Sequence, residues 1–319
     1  MTVLNGRYAI EKVFADSGGM GVLYAARDRR CHDNPVLIKT TRYDGGNNSK
    51  HFKYTADEAI KHVEKLRKII EWEKKILVRF KNEAVGNIPS PNDYFTDHSL
   101  LLERTHEGRM GAFDLPDALL ASEPYLVMER IYGVPLHKAL GRAEERDRLE
   151  ERVLRVAKEL LTIFIKFHKT VKLGPGDGYF IYQDLKPANV LLGEGEYVTL
   201  IDLGAVTLKM GDRTTEPTAG CITAGYAAPE AAGGRESNID QRFDLYTLGV
   251  TLWQVLTGRD PQELGGEFPQ IPLSPLKSLG LSQNTLAFLA KSLERDPERR
   301  FQTAAQMRKA AIDVLRSLG

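Results

Sequence analysis

QDLKPANVLL, Gln183 to Leu192, is followed across a second apolar run by DLG, Asp202 to Gly204. The order is acid, base, amide, and then a second acid beyond the strand-like VTLI. Asp184 can orient a hydroxyl and accept its proton. Lys186, two residues on, can neutralise a phosphoryl group in transit. Asn189 and Asp202 offer hard oxygen ligands of the kind Mg²⁺ takes. Phosphoryl transfer depends mainly on positioning and charge neutralisation, and this set of side chains supplies both.

Periodicity divides the rest of the chain. Three short strands are expected from about Tyr8 to Lys39. RYAIEKVF alternates, GVLYAARD follows a Gly cluster, and PVLIKT is rich in β-branched residues and reaches Lys39. YDGGNNSK reads as a loop by composition. Ile60, Val63, Leu66, Ile69, Ile70, Ile76, Leu77 and Phe80 recur at helical spacing, which predicts a helix from about Ala56 to Phe80. PYLVMER, Pro124 to Arg130, reads as a buried strand. Beyond Gly133 the pattern is mostly helical, in ERVLRVAKELLTIFIKFH, FDLYTLGVTLWQVLTG, TLAFLAKSLERDP and TAAQMRKAAIDVLRS. A strand-rich first third therefore precedes a helix-rich remainder, with ERIYGVP as the boundary.

The bulk properties narrow the function classes. The 319 residues suffice for one large or two modest domains, and 42% hydrophobic with 27% charged residues is the balance of an ordinary globular protein. A net charge of +1 gives no broad electrostatic footprint for nucleic acid. Two cysteines, Cys31 and Cys221, make no disulfide framework and imply unpaired thiols in a reducing, cytoplasmic compartment. MTVLNGRYAI has neither the basic start nor the apolar centre expected of a secretory leader. Apolar runs such as LLTIFI are too short to span a bilayer, so no membrane segment is expected. The seven histidines and two cysteines show no metal-ligand spacing.

Two further features carry chemistry. DSGGMG, Asp16 to Gly21, sits between two strands, where glycines let backbone N–H groups approach a phosphate; the same cluster also reads as a plain turn. Lys39 ends a buried strand, where its ammonium either meets an anionic partner or snorkels to water.

Together these stretches resemble the eukaryotic-type Ser/Thr protein kinases, most of all the bacterial branch of that family. DSGGMG resembles the Gly-rich loop, VLIK the V-A-I-K strand, YQDLKPAN the H-R-D-L-x-x-x-N catalytic loop, and DLG the D-F-G motif. APE, Ala228 to Glu230, matches outright. The resemblance runs from Tyr8 to about Leu318. It implies an α+β, bilobal protein-kinase-like fold, with a small β-rich lobe carrying one long helix and a larger helical lobe. Residues 1–131 would form the ATP-binding lobe and 132–319 the lobe of the catalytic loop and activation segment, together one kinase domain.

The resemblance also implies roles. ATP and Mg²⁺ would be the cofactors, and a protein Ser/Thr hydroxyl the acceptor. Lys39 would hold the α- and β-phosphates, paired with Glu73 on the helix; Glu71 is the alternative, two residues off that face. Asp184 would be the base, Lys186 would steady the γ-phosphate, and Asn189 and Asp202 would bind the metal. Thr223 would touch the base, and Asp244 would brace the catalytic loop. Glu230 and Arg300 would anchor the activation segment. Ala15, Asp16, Ser17, Gly18, Gly19, Met20, Gly21 and Val22 would surround the phosphates. Leu23, Leu37 and Leu191 would pack on adenine, the backbone of Glu129 and Ile131 would meet its edge, and Met128 would stand as gatekeeper.

This chain departs from the pattern in places. The first Gly of the loop is replaced by Asp16 or, counted from Tyr8, by Ala15. Tyr182 stands for His, Leu203 for Phe, and Gln183 for the Arg that in many relatives pairs with an activation-loop phosphate; an amide cannot make that charged bidentate contact. Lys209 and Arg213 are expected in a mobile segment, unable to tie it to the catalytic loop, and Thr214, Thr215 and Thr218 are candidate phosphosites. Residues 40–59, 97–122 and 169–179 are longer than the fold requires, either as decoration or as docking surface for a regulatory protein. Two alternatives use the same fold: a pseudokinase that binds nucleotide without transfer, and a small-molecule kinase.

Overall fold

The computed structural model describes residues 2–15, 21–41, 56–100, 121–140, 148–173, 176–211, 213–215, 222–232, 239–265 and 270–319. Two compact units result, one of Met1–Ala84 with Pro89–Ile131, the other of Val85–Ile88 with Tyr132–Gly319.

The first unit is built on an antiparallel sheet. Its strands are β1 (Val3–Leu4), β2 (Tyr8–Ala15), β3 (Gly21–Asp28), β4 (Asn34–Thr41), β5 (Pro91–Asp97) and β6 (Glu123–Glu129), in the order β1-β2-β3-β4-β6-β5. Alternation decides which face is buried. Val22, Tyr24 and Ala26 of β3 and Val36 and Ile38 of β4 join Tyr8, Tyr125 and Val127 in one apolar cluster. The opposite face presents Leu23 beside Lys39 beside Leu126, and Ala25 beside Leu37 beside Met128, as cross-strand partners. Helix α1 (Ala56–Asn82) packs on this unit. Leu66, Ile70, Leu77 and Phe80 are buried at helical spacing, and Glu73, also buried, interrupts their stripe. The long connection between β5 and β6 is tied at its start, where Tyr125 donates from its hydroxyl to the His98 carbonyl (2.8 Å) and accepts from the Leu100 amide (3.1 Å).

The second unit is mainly helical. Its long helices are α2 (Leu149–Phe167), α3 (Arg242–Thr257), α4 (Gln283–Ser292) and α5 (Ala304–Leu318). Helix α3 is mostly apolar and buried over most of its length, as a central helix must be; Gly258 ends it in the left-handed conformation, φ +69°. Ser282 and Thr303 cap α4 and α5 by accepting from the amides of Thr285 and Gln306. Two small sheets complete the unit. One joins β7 (Val134–Pro135), β10 (Val190–Leu192) and β11 (Val198–Leu200) in the order β11-β10-β7; the other joins β8 (Val171–Leu173), β9 (Gly176–Ile181), β12 (Thr207–Met210) and β13 (Arg213–Thr215) in the order β13-β12-β9-β8.

A sheet-rich first part and a helical second part are thus the expected α+β architecture. The β8–β13 sheet corrects one expectation. The stretch 169–179 contributes a strand hairpin, and Lys209 sits buried in β12, which pairs with β9 just before the catalytic loop. Backbone pairing therefore ties that segment down where the side chains alone suggest freedom. Among the described residues no helix is long and apolar enough to cross a membrane.

Candidate active site

In the first unit, Lys39 Nζ lies 2.7 Å from Glu73 Oε2, with both side chains buried. Burial of an ammonium or carboxylate is costly unless it is paired, and here each offsets part of the other's cost. Glu71 faces outward and pairs with Lys75, one turn along α1, at 2.8 Å. Leu23, Leu37 and Met128 share the sheet face of Lys39, and Ala15 pairs with Leu23 at the end of β2. Val22 lies on the other face, in the apolar cluster. Gly21, Glu129 and Ile131 are half-buried. The Glu129 amide donates to the Ser90 carbonyl and its carboxylate accepts from the Ser90 amide. Asp16, Ser17, Gly18, Gly19 and Met20 lie outside the described residues, as do Thr218 and Cys221; Cys31 is an exposed free thiol.

In the second unit, the Asp184 carboxylate is buried and gathers donors. Lys186 Nζ reaches it at 2.9 Å, Asn189 Nδ2 at 3.1 Å and Thr223 Oγ1 at 2.5 Å. Lys186 also donates to Thr223 Oγ1 at 2.8 Å. Burial pushes the Asp184 carboxyl up from the ordinary range; Lys186 and Thr223 oppose the rise, and the charge of Asp202 adds to it. The amide of Ile201 donates to the Asn189 carbonyl, which couples the DLG segment to the catalytic loop. Asp202 adopts φ +61° and Gln183 φ +69°, a conformation that side chains other than glycine adopt rarely.

Asp244 explains how Gln183 is held. Its buried carboxylate accepts from the amides of Tyr182 and Gln183, each at 2.9 Å, and lies 2.8 Å from His168 Nε2. His168 is absent from the motif reading, because one histidine after a helix carries no signal of its own. Arg300 donates to both carboxylate oxygens of Glu230 at 2.7 Å and its guanidinium stacks over Tyr246. Leu191 is half-buried in β10.

The donor chemistry suits Mg²⁺. Among the described residues, no cluster of three His, Cys, Asp or Glu side chains gathers to hold a metal alone. Mg²⁺ commonly needs only one or two protein oxygens, with phosphates and water completing its shell. Asn189 commits its amide nitrogen to Asp184, so its side-chain oxygen is the atom that would be offered to such a metal.

Sheet, helices and buried polar pairs of this kind define a class before any individual relationship. The chain belongs to the protein kinase domain family, whose family model matches residues 18–311. Among curated proteins it is 27% identical over 325 residues to serine/threonine-protein kinase PknB of Mycobacterium tuberculosis, covering 98% of this chain and 43% of the relative. It is 28% identical over 320 residues to a probable serine/threonine-protein kinase of Streptomyces coelicolor, covering 96% and 39%. The chain spans less than half the length of these relatives.

Proposed function

We propose that this chain is a serine/threonine protein kinase that transfers the γ-phosphoryl group of ATP, with Mg²⁺, to hydroxyls of protein substrates. The observation that carries the reading is the set of donors converging on the buried Asp184, together with the paired Lys39 and Glu73. Bound Mg²⁺ would neutralise developing phosphate charge, and Asn189 and Asp202 are the residues to hold it. Asp184 accepts the proton of the acceptor hydroxyl; Thr223 and Asn189 fix its carboxylate so that the accepting oxygen is presented in one orientation. Lys186 balances charge on the transferring group. Lys39, held by Glu73, orients the α- and β-phosphates. Leu23, Leu37, Met128 and Leu191 pack against adenine, and the backbone of Glu129 and Ile131 meets its edge. Residues 1–131 form the nucleotide-binding lobe and 132–319 the substrate lobe. The scarcity of cysteines supports a cytoplasmic setting, and the long segments 40–59, 97–122 and 169–179 are either decoration or the docking surface for a regulatory protein.

The intact acidic pair and lysines favour transfer over a binding-only module, and the APE segment, anchored through Glu230 and Arg300, favours a protein over a small molecule as acceptor. Titration calorimetry of Mg-ATP against Asp184→Asn and Asp202→Asn, with radiolabelled transfer to a basic protein, tests the reading. Asp184→Asn should abolish transfer and keep binding; Asp202→Asn should weaken Mg-dependent binding as well. Equal loss of binding in both variants would sink the assignment.

A further inference from the structure

Beside the Lys39–Glu73 pair lies a second buried polar cluster that the proposed reaction does not use. Glu123, the first residue of β6, is fully buried. Its carboxylate accepts from Thr40 Oγ1 at 2.7 Å, from the Thr41 amide at 3.2 Å and from the Thr41 hydroxyl. Arg67 of α1 donates to its other oxygen at 2.9 Å. Thr40 also donates to the Pro124 carbonyl at 2.8 Å. A helix usually meets a sheet through apolar side chains, and α1 does so over most of its buried stripe. A carboxylate, a guanidinium and two hydroxyls at one such point need a reason.

Geometry supplies it. The last three residues of β4 carry two ties to the same helix: Lys39 to Glu73 directly, and Thr40 with Thr41 to Arg67 through Glu123. Arg67 precedes Glu73 by six residues, which places the two side chains about 120° apart around the helix axis. One ion pair leaves a helix able to roll about its contact. A second, at another angle, fixes the roll as well as the distance. Burial pushes the Glu123 carboxyl up to about 7, while the Thr41 and Thr40 hydrogen bonds pull it down; the Arg67 guanidinium at 2.9 Å also favours the ionised form. Such buried pairs add little net stability compared with apolar packing, and their best-attested use is to specify one arrangement.

We infer that Arg67, Glu123, Thr40 and Thr41 form a second latch between α1 and the sheet, and that they are positioning residues which hold Glu73 on Lys39. The kinetic consequence rests on the proposed phosphoryl transfer; the latch itself does not.

The test is Glu123→Gln in the full chain, read by initial rates on an exogenous protein substrate and by amide hydrogen exchange of peptides covering residues 60–77. The expected result is a fall in kcat of about tenfold with KM for the protein substrate unchanged, and exchange of those peptides about tenfold faster. Placed on Glu73→Gln, the same change should cost less than about twofold more, because its route through Glu73 is already gone. Thr41→Val, nearly isosteric, removes one donor and should move both readouts the same way by a smaller amount; it keeps the test open if Glu123→Gln fails to fold. Unchanged exchange in 60–77, or costs of Glu123→Gln and Glu73→Gln that multiply independently, would overturn the latch. If the unaltered chain transfers no phosphate to any protein, the proposed function falls, and the exchange measurements alone decide the latch.

Discussion

A Cβ on Gly178 would sit 2.8 Å from the carbonyl oxygen of Lys209, and 3.0 Å from Leu208 Cδ1 and Met210 Cγ. Backbone meets backbone there, and no side chain can swing aside to relieve the contact. The approach is what lets β12 dock on β9 and brings the start of the activation segment against the strand that leads into the catalytic loop. Gly176, two residues earlier, would meet only the flexible end of Met210 at 3.3 Å.

These two glycines therefore separate docking from general tolerance. Gly178→Val is expected to destabilise the fold by about 1–3 kcal/mol through overpacking and to lower phosphoryl transfer. Gly176→Ala should stay within about 1 kcal/mol of the unaltered protein. Urea denaturation with initial rates on the same preparations checks both; equal behaviour of the two variants would remove the special role of the close approach.

How far the sequence carried the structure depends on the kind of signal. Alternation in GVLYAARD and PVLIKT marks strands that bury one face, and the spacing of Leu66, Ile70, Leu77 and Phe80 marks α1. Glu73 was legible only through the family resemblance, which put the helix carboxylate at EKKIL; its place in the buried stripe, where a carboxylate needs a cation, appears in the structure. The β8–β9 hairpin was not legible, because LGPGDG carries turn residues and β9 is held by pairing with β12, a long-range contact that local pattern does not encode. Glu123 and Arg67 hid for a related reason. Charged residues at a strand start and on a basic helix read as solvated, and only tertiary packing buries them.

The helix register gives a sharper kinetic expectation. Glu73 is buried against Lys39, and Glu71 is exposed beside Lys75. Glu73→Gln should lower kcat/KM by about a hundredfold or more, and Glu71→Gln by less than about threefold. Full activity in Glu73→Gln with loss in Glu71→Gln would mean that α1 works in another register.

The pH dependence follows from Asp184. As the proposed base, Asp184 must be ionised to act, so kcat/KM should rise with pH through its pKa, which burial lifts above the ordinary 3.8. The Thr223 hydroxyl opposes that rise by donating to the carboxylate. Thr223→Val removes the donor, disfavours the charged form, and should move the acid limb of the profile to higher pH. A pH–rate series on both proteins decides it, and a limb that stays or moves to lower pH contradicts the assignment of Asp184 as the base.

The activation segment gives the last expectation. In relatives with Arg before the catalytic Asp, a loop phosphate can draw the segment into order by a charge-assisted contact. Here the residue is Gln183, whose amide N–H is bound to Asp244 and whose side chain carries no charge. The segment is held by other means. β12 pairs with β9, β13 pairs with β12 so that Thr214 stands opposite Lys209 and Thr215 opposite Leu208, and Glu230 is clamped by Arg300 at the far end. Backbone pairing ties the segment at one end and a bidentate ion pair at the other, without a phosphate. Phosphorylation of Thr214, Thr215 or Thr218, the last outside the described residues, is thus expected to be dispensable for basal activity. The combined change Thr214→Ala, Thr215→Ala and Thr218→Ala should keep initial rates on an exogenous substrate within about threefold of the unaltered chain. A fall of about a hundredfold, some 2.7 kcal/mol of barrier, would show that the sheet does not order the segment unaided.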